Sequence, residues 1–295
     1  MPFCILANES VEVAIKRIAN EELNNIVHEL QDDDLEYDEK IHQLRKRCKR
    51  LRGLIRLVRP QLRSRFQVEN KFYRDLAKEF TSIRDSQALL ESLDRLLEYF
   101  SEQFSYQPIY DLLNKHKARL LKNDLTLNER LNVVTEKVYI ARTRIYSWKI
   151  KRDGFTAIKN GLKKTYTDGR NAMFEAYSCL NTTSFHEWRK HVKYHMFHLL
   201  LINRIKKKSI MKRYHDLYIL SEYLGEYHDL ANLSNFIHNN TENFHDQDMI
   251  DSITELIERR HSELREIAKP ISAKLYAKKP KKLITELEKY WNSWE

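Results

Sequence analysis

The sequence predicts an all-α protein, on three observations. Among 295 residues only 5 are Gly and 5 are Pro, too few breakers for the many tight turns of an all-β chain of this length. Apolar residues recur with helical period nearly throughout. Leu, Lys, Glu and Arg dominate the composition, which suits long helices. The length allows one large domain or two smaller ones with real cores.

The periodic segments place helices over 11–30, 38–59, 66–80, 85–104, 107–122, 126–149, 154–178, 183–205, 209–225, 227–240, 246–266 and 280–294. The stretch "QDDDLEYDE" is an acidic loop ahead of the second helix. Its Asp34 or Asp38 is suited to cap that helix, because negative charge favours a helix N-terminus. The second helix should end at Arg59-Pro60, since the residue before a proline avoids helical geometry. Pro108, Pro270 and Pro280 mark later breaks. No low-complexity segment or flexible linker interrupts the pattern.

The net charge is +10, with 52 basic and 42 acidic residues, and both halves share the surplus. A basic excess favours an anionic partner, such as nucleic acid, an acidic membrane or another polyanion. Cys4, Cys48 and Cys179 are far apart and form no CxxC, which argues against zinc or a disulfide framework and fits a reducing compartment. The start "MPFCILANESVEVAI" lacks a basic n-region and a long apolar stretch. No apolar run approaches the roughly 20 residues of a membrane span. These features predict a cytoplasmic protein.

Two segments repeat at one offset. His42, Arg45, Lys46 and Lys49 match His186, Arg189, Lys190 and Lys193, each 144 residues on. Asp85 and Leu89 match Asp229 and Leu233 at the same offset. This predicts two copies of a helical unit, over 1–150 and 151–295, related by a pseudo-two-fold axis.

The first copy, "IHQLRKRCKRLRGLIRLVRP" at 41–60, concentrates charge unusually. At about 100° per residue, Arg45, Lys49, Arg52, Arg56 and Arg59 fall on one stripe about 80° wide and roughly 21 Å long, with His42 beside it. Ile41, Leu44, Cys48, Leu51, Ile55 and Val58 form a neighbouring apolar face. Like charges at i, i+4 repel, and no carboxylate lies between Ile41 and Gln67. The stripe therefore calls for carboxylates from other helices or for an external polyanion. The second copy is weaker, with Met196 and Leu200 where the first has Arg52 and Arg56. A further run, Lys206, Lys207 and Lys208, lacks the stripe's register.

"HQLRKRCKRLRGLIRLVRP" and "FHEWRKHVKYHMFHLLL" resemble the two signature helices of the CHAD (conserved histidine α-helical) domain. "GLKKTYTDGRNAMFEAY", "YLGEYHDLANL" and "LYAKKPKKLITELEKYWNSW" resemble further segments of that family, in order, over nearly the whole chain. The resemblance implies a single CHAD domain over 1–295, built of two similar four-helix-type bundles about a pseudo-two-fold axis. It also implies a basic groove or pore at their junction that binds inorganic polyphosphate. The positions it assigns to that ligand are His42, Arg45, Lys46, Lys49 and Arg52 with Arg56 on the same stripe, then His186, Arg189, Lys190 and Lys193. Lys163 and Arg170 lie at i and i+7 in the segment expected beside them. Association with polyphosphate granules would follow. The ExExK strand motif of the triphosphate-tunnel domain often fused to this family is absent, so triphosphate hydrolysis is not implied.

Other readings remain open at this point. RNA or general polyanion binding would add stacking aromatics, but Trp188, Tyr194 and Phe197 sit at helical spacing that suits a core. His191, His195 and His198 could hold a metal, yet "HEWRKH" is not the metalloprotease HExxH, and no metal or other cofactor is expected. A metal- or phosphate-handling enzyme finds no GxxxxGK[ST], GxSxG, GxGxxG or CxxC. Asp85 and Asp229 are expected to orient Arg84 and His228 or to cap a helix, and no catalytic residue is assigned. If His42 and His186 charge near pH 6.5, binding should tighten modestly as pH falls.

Overall fold

The computed structural model describes residues 3–101, 106–122, 127–203 and 208–293. Among them it contains α-helices and no strand. The helices are α1 (Val11–Gln31), α2 (Tyr37–Leu57), α3 (Arg59–Leu62), α4 (Ser64–Lys78), α5 (Thr81–Phe100), α6 (Gln107–Lys122), α7 (Leu127–Ile145), α8 (Gly154–Cys179), α9 (Thr182–Leu201), α10 (Lys208–His238), α11 (Gln247–Leu275) and α12 (Pro280–Asn292). Lys206, Lys207 and the parts of the expected helices at 102–104, 126, 204–205 and 294 lie outside the described residues.

Several boundaries differ from the sequence reading for identifiable reasons. Neither Asp34 nor Asp38 caps α2. The N-cap is Glu36, which makes no side-chain cap bond, and Asp38 instead accepts from Lys117 Nζ at 2.8 Å. The two helices expected over 209–225 and 227–240 are one helix, α10. Gly225 lies inside it, and the Arg189 guanidinium of α9 passes 3.1 Å from where a Cβ on this glycine would stand. Pro270 lies inside α11 rather than at its end. Pro60 opens the short helix α3 at its first turn, where a missing N–H costs nothing.

In the first half, α2 packs against α1 and α4, and α7 covers α1. In the second half, α9 lies between α8 and α10, with α11 on α10 and α12 on α8. The halves meet where α2 packs on α9 and α8, and where α5 packs on α10. The expected apolar face of α2 is buried in full, from Ile41 to Val58. Trp188, Tyr194 and Phe197 are buried too. One continuous apolar core runs through both halves.

Two glycines let the halves approach. A Cβ on Gly53 of α2 would stand 2.9 Å from the Phe197 ring of α9. A Cβ on Gly161 of α8 would stand 1.9 Å from Leu57 O, at the end of α2. Backbone therefore touches backbone at the second contact, and the basic helix is clamped between α9 and α8. Among the described residues no helix is long and apolar enough to cross a membrane.

Candidate functional site

Helix α2 carries cations on two faces, and the protein treats them differently. On the face toward α1, Arg47 pairs with Glu29 at 2.5 Å and with Glu22 at 3.3 Å, and Arg50 pairs with Glu22 at 3.1 Å. Glu22 is buried, so this network is an internal strut. On the other face stand Arg45, Lys49, Arg52 and Arg56, and Arg59 follows them at the start of α3. Of these five, among the described residues, only Arg45 reaches a carboxylate, Asp85 at 3.4 Å, and it also donates to Thr81 Oγ1 at 3.0 Å.

Arg52 and Arg56 are held without being neutralised. Arg52 Nε and Arg56 Nη1 both donate to Asn70 Oδ1, at 3.2 and 2.7 Å, and Arg56 Nη1 also donates to Arg52 O at 3.0 Å. The Arg56 guanidinium lies 3.9 Å from the centre of the Tyr194 ring, a cation–π contact. Arg59 covers Phe66 at 4.6 Å. A neutral amide and two rings thus orient three cations while leaving their charge available.

Opposite this face, α9 supplies Arg189 and Lys193. Burial, then the neighbouring Arg189, Arg45 and Lys193, push the Lys49 ammonium down to about 7. Lys49 is nevertheless exposed to water. A side chain crowded by protein yet solvated lies in an open groove, and this one is walled by like charges. Burial and Arg189 also lower Lys193, which reaches Glu222 at 3.4 Å. Arg189 rests over Gly225, and its buried Nε has no hydrogen-bond partner among the described residues. The structure therefore gathers Arg45, Lys49, Arg189 and Lys193 between α2 and α9.

Two carboxylates share the groove. Burial raises the Asp85 carboxyl against the pull of Arg45, with Asp229 adding to the rise. Burial raises Asp229 against the pull of Arg189. Each basic helix thus sets its Arg beside an Asp at the repeat offset, Arg45 with Asp85 and Arg189 with Asp229. The expectation that Asp85 orients Arg84 is corrected. Successive helical residues point about 100° apart, so Arg84 turns to Glu91 at 2.9 Å instead. Asp229 reaches Arg95 at 3.6 Å.

The histidines behave differently from expectation. The His186 and His228 rings lie 4.0 Å apart, and burial together with nearby cations holds both down at about 4. His42 is lowered by burial and by Arg84. Histidine protonation near pH 6.5 therefore does not charge this site, because burial first, and then the cations already present, oppose it. His198 Nε2 bonds to Gly53 O at 3.0 Å, and His195 Nε2 accepts from Arg213 Nε at 3.1 Å. Both are buried and hold the fold, and no cluster of metal-ligand type occurs among the described residues.

The remaining predicted residues scatter. Lys46 is exposed on α2, His42 is partly covered by its neighbours yet reaches the solvent, and Lys190 pairs with Glu187 on its own helix. Lys163 and Arg170 do not join the groove. They stand about 180–200° around α8 from Gly161, the residue that touches α2. Arg170 Nε donates to Tyr276 O at 3.2 Å. It is Lys164 that lines a small pocket with Arg56, Arg59 and His191. The sequence reading missed Asn70, which carries no charge to notice, and placed Tyr194 in the core without its arginine.

The family model for the CHAD domain matches residues 17–238. No curated protein shows a significant match to the chain.

Proposed function

Because the chain belongs to the CHAD domain family, we propose that it binds inorganic polyphosphate along the groove between α2 and α9, as a binding protein rather than an enzyme. The association of that domain with polyphosphate supports the reading. The observation that carries it is the asymmetry of α2. Carboxylates neutralise the face toward α1, whereas Lys49, Arg52, Arg56 and Arg59 on the groove face have no carboxylate partner among the described residues. Polyphosphate offers a line of charge and acceptor oxygens without bases. Arg meets it with paired donors and Lys with point charges. RNA would also need free rings for stacking. Here Tyr194 is covered by Arg56, and Trp188 and Phe197 are buried.

The direct test titrates long-chain polyphosphate against single-stranded RNA of equal charge. Polyphosphate should bind at least about tenfold tighter, and log affinity should fall linearly with log salt. Equal affinities would reduce the protein to a general polyanion binder.

The site should also respond to pH through Lys49. Its free ammonium titrates at about 7, and a bound polyanion raises that value. Binding is then strongest below 7 and weakens as pH rises through the bound-state value. Calorimetry at pH 8 should detect proton uptake on binding. Lys49→Arg, charged throughout this range, should reduce the uptake and flatten the pH dependence between 6 and 9. A wild-type affinity that stays level over that interval would refute the assignment.

A further inference from the structure

A second basic concavity lies past the end of α2. It is a cleft of about 620 Å³ between the α3–α4 turn and the segment joining α7 to α8, and its cations are Arg63, Arg65, Lys149, Lys151 and Arg152. No carboxylate lines it among the described residues. Its volume lies in the range of small-ligand sites. Its lining thus sets five cations together without a counter-charge.

The cleft is built on fixed backbone. Trp148 is fully buried. Ile150 N donates to Glu12 Oε2 at 2.6 Å, and Val11 N donates to Asp153 Oδ1 at 2.7 Å. These ties hold Lys149, Lys151 and Arg152 against α1 with their side chains outward. From the other wall, Arg65 Nη1 donates to Ser147 Oγ, bridging the two segments. The first turn of α4 also opens here, and its Ser64 and Arg65 line the cleft.

Two features select the ligand. No aromatic ring lines the cleft, so a base would find nothing to stack on. Pro60 and Asn160 are shared with the small pocket of Arg56, Arg59 and Lys164, so the cleft is contiguous with the end of the α2 stripe. We propose that this cleft is a second phosphoryl-anion subsite, and that one polyphosphate chain occupies it and the α2–α9 groove together. The inference rests on the polyphosphate reading of the groove and extends it from a single site to two joined ones.

The test uses the full chain, inorganic triphosphate as a short probe and long-chain polyphosphate as a long one. The cleft variant is Lys149→Gln/Lys151→Gln/Arg152→Gln, at exposed positions, with circular dichroism and thermal melting to show that it folds. The groove variant is Arg52→Gln/Arg56→Gln. Wild-type protein should take up two triphosphates and each variant one. For the long polymer, the cleft variant should lose about 10²-fold in affinity, because joined sites gain that much from effective concentration. A cleft variant with wild-type stoichiometry and long-chain affinity would overturn the second subsite while leaving the groove intact. Wild-type protein that binds neither probe would overturn the polyphosphate reading itself. Two triphosphates bound but no loss of long-chain affinity in the cleft variant would overturn the joining of the sites.

Discussion

Replacing Arg45, Lys49 and Arg52 together by Glu is expected to abolish polyphosphate binding and leave helicity intact. The three side chains form the N-terminal part of the groove face. A hydrogen bond to a charged group is worth about 1.5–3 kcal/mol, so losing three costs about 10³-fold or more in affinity, before the repulsion from three new carboxylates. The fold should tolerate the change. These residues border the apolar face of α2, and its buried members from Ile41 to Val58 are untouched. The control is Lys279→Glu/Lys281→Glu/Lys282→Glu, on exposed lysines near the start of α12. It alters net charge by the same amount away from the groove, and should cost about tenfold or less through the general field of the protein. Comparable losses in both triple variants would show a diffuse polycation with no shaped site.

The second large effect concerns the clamp on α2. Gly161→Ala should destabilise the protein by about 3 kcal/mol, since overpacking at a close contact typically costs 1–3 kcal/mol. The clash here is with backbone, 1.9 Å from Leu57 O and 2.5 Å from Leu57 C, so no rotamer change relieves it. The better helix propensity of Ala, about 0.5–1 kcal/mol, offsets only part. A fall in melting temperature of about 5 °C would correspond. Gly225→Ala is the contrast. Its nearest neighbour is the Arg189 guanidinium at 3.1 Å, the mobile end of a side chain, so stability should hardly change. An unchanged melting temperature for Gly161→Ala would mean that α2 and α8 can separate freely.

The helical class and the outward stripe of α2 could be read from the sequence, because periodicity reports which side of a helix meets the core. What could not be read depends on partners distant in the chain. Gly225 looks like a breaker until Arg189 is seen lying across it. Lys163 and Lys164 are equivalent in composition, and only the contact at Gly161 decides which one faces α2. The run Lys149, Lys151, Arg152 is visible in the sequence, but Arg63 and Arg65, which make it a cleft, are joined to it by the fold alone. The histidines misled for an electrostatic reason. A ring crowded by permanent cations and withdrawn from water keeps its neutral form, and sequence proximity to Arg and Lys suggests participation without giving the sign.

The division of α2 into a neutralised face and an open one has a consequence for loading and unloading. The Arg47–Glu22–Glu29 strut is largely withdrawn from water, where salt screens little, whereas the groove cations meet the solvent, where screening is strong. Under the proposed binding, rising ionic strength should therefore displace polyphosphate before it reaches the interactions that hold the helices together. The expected result is a range of salt in which the polymer dissociates while the protein stays folded.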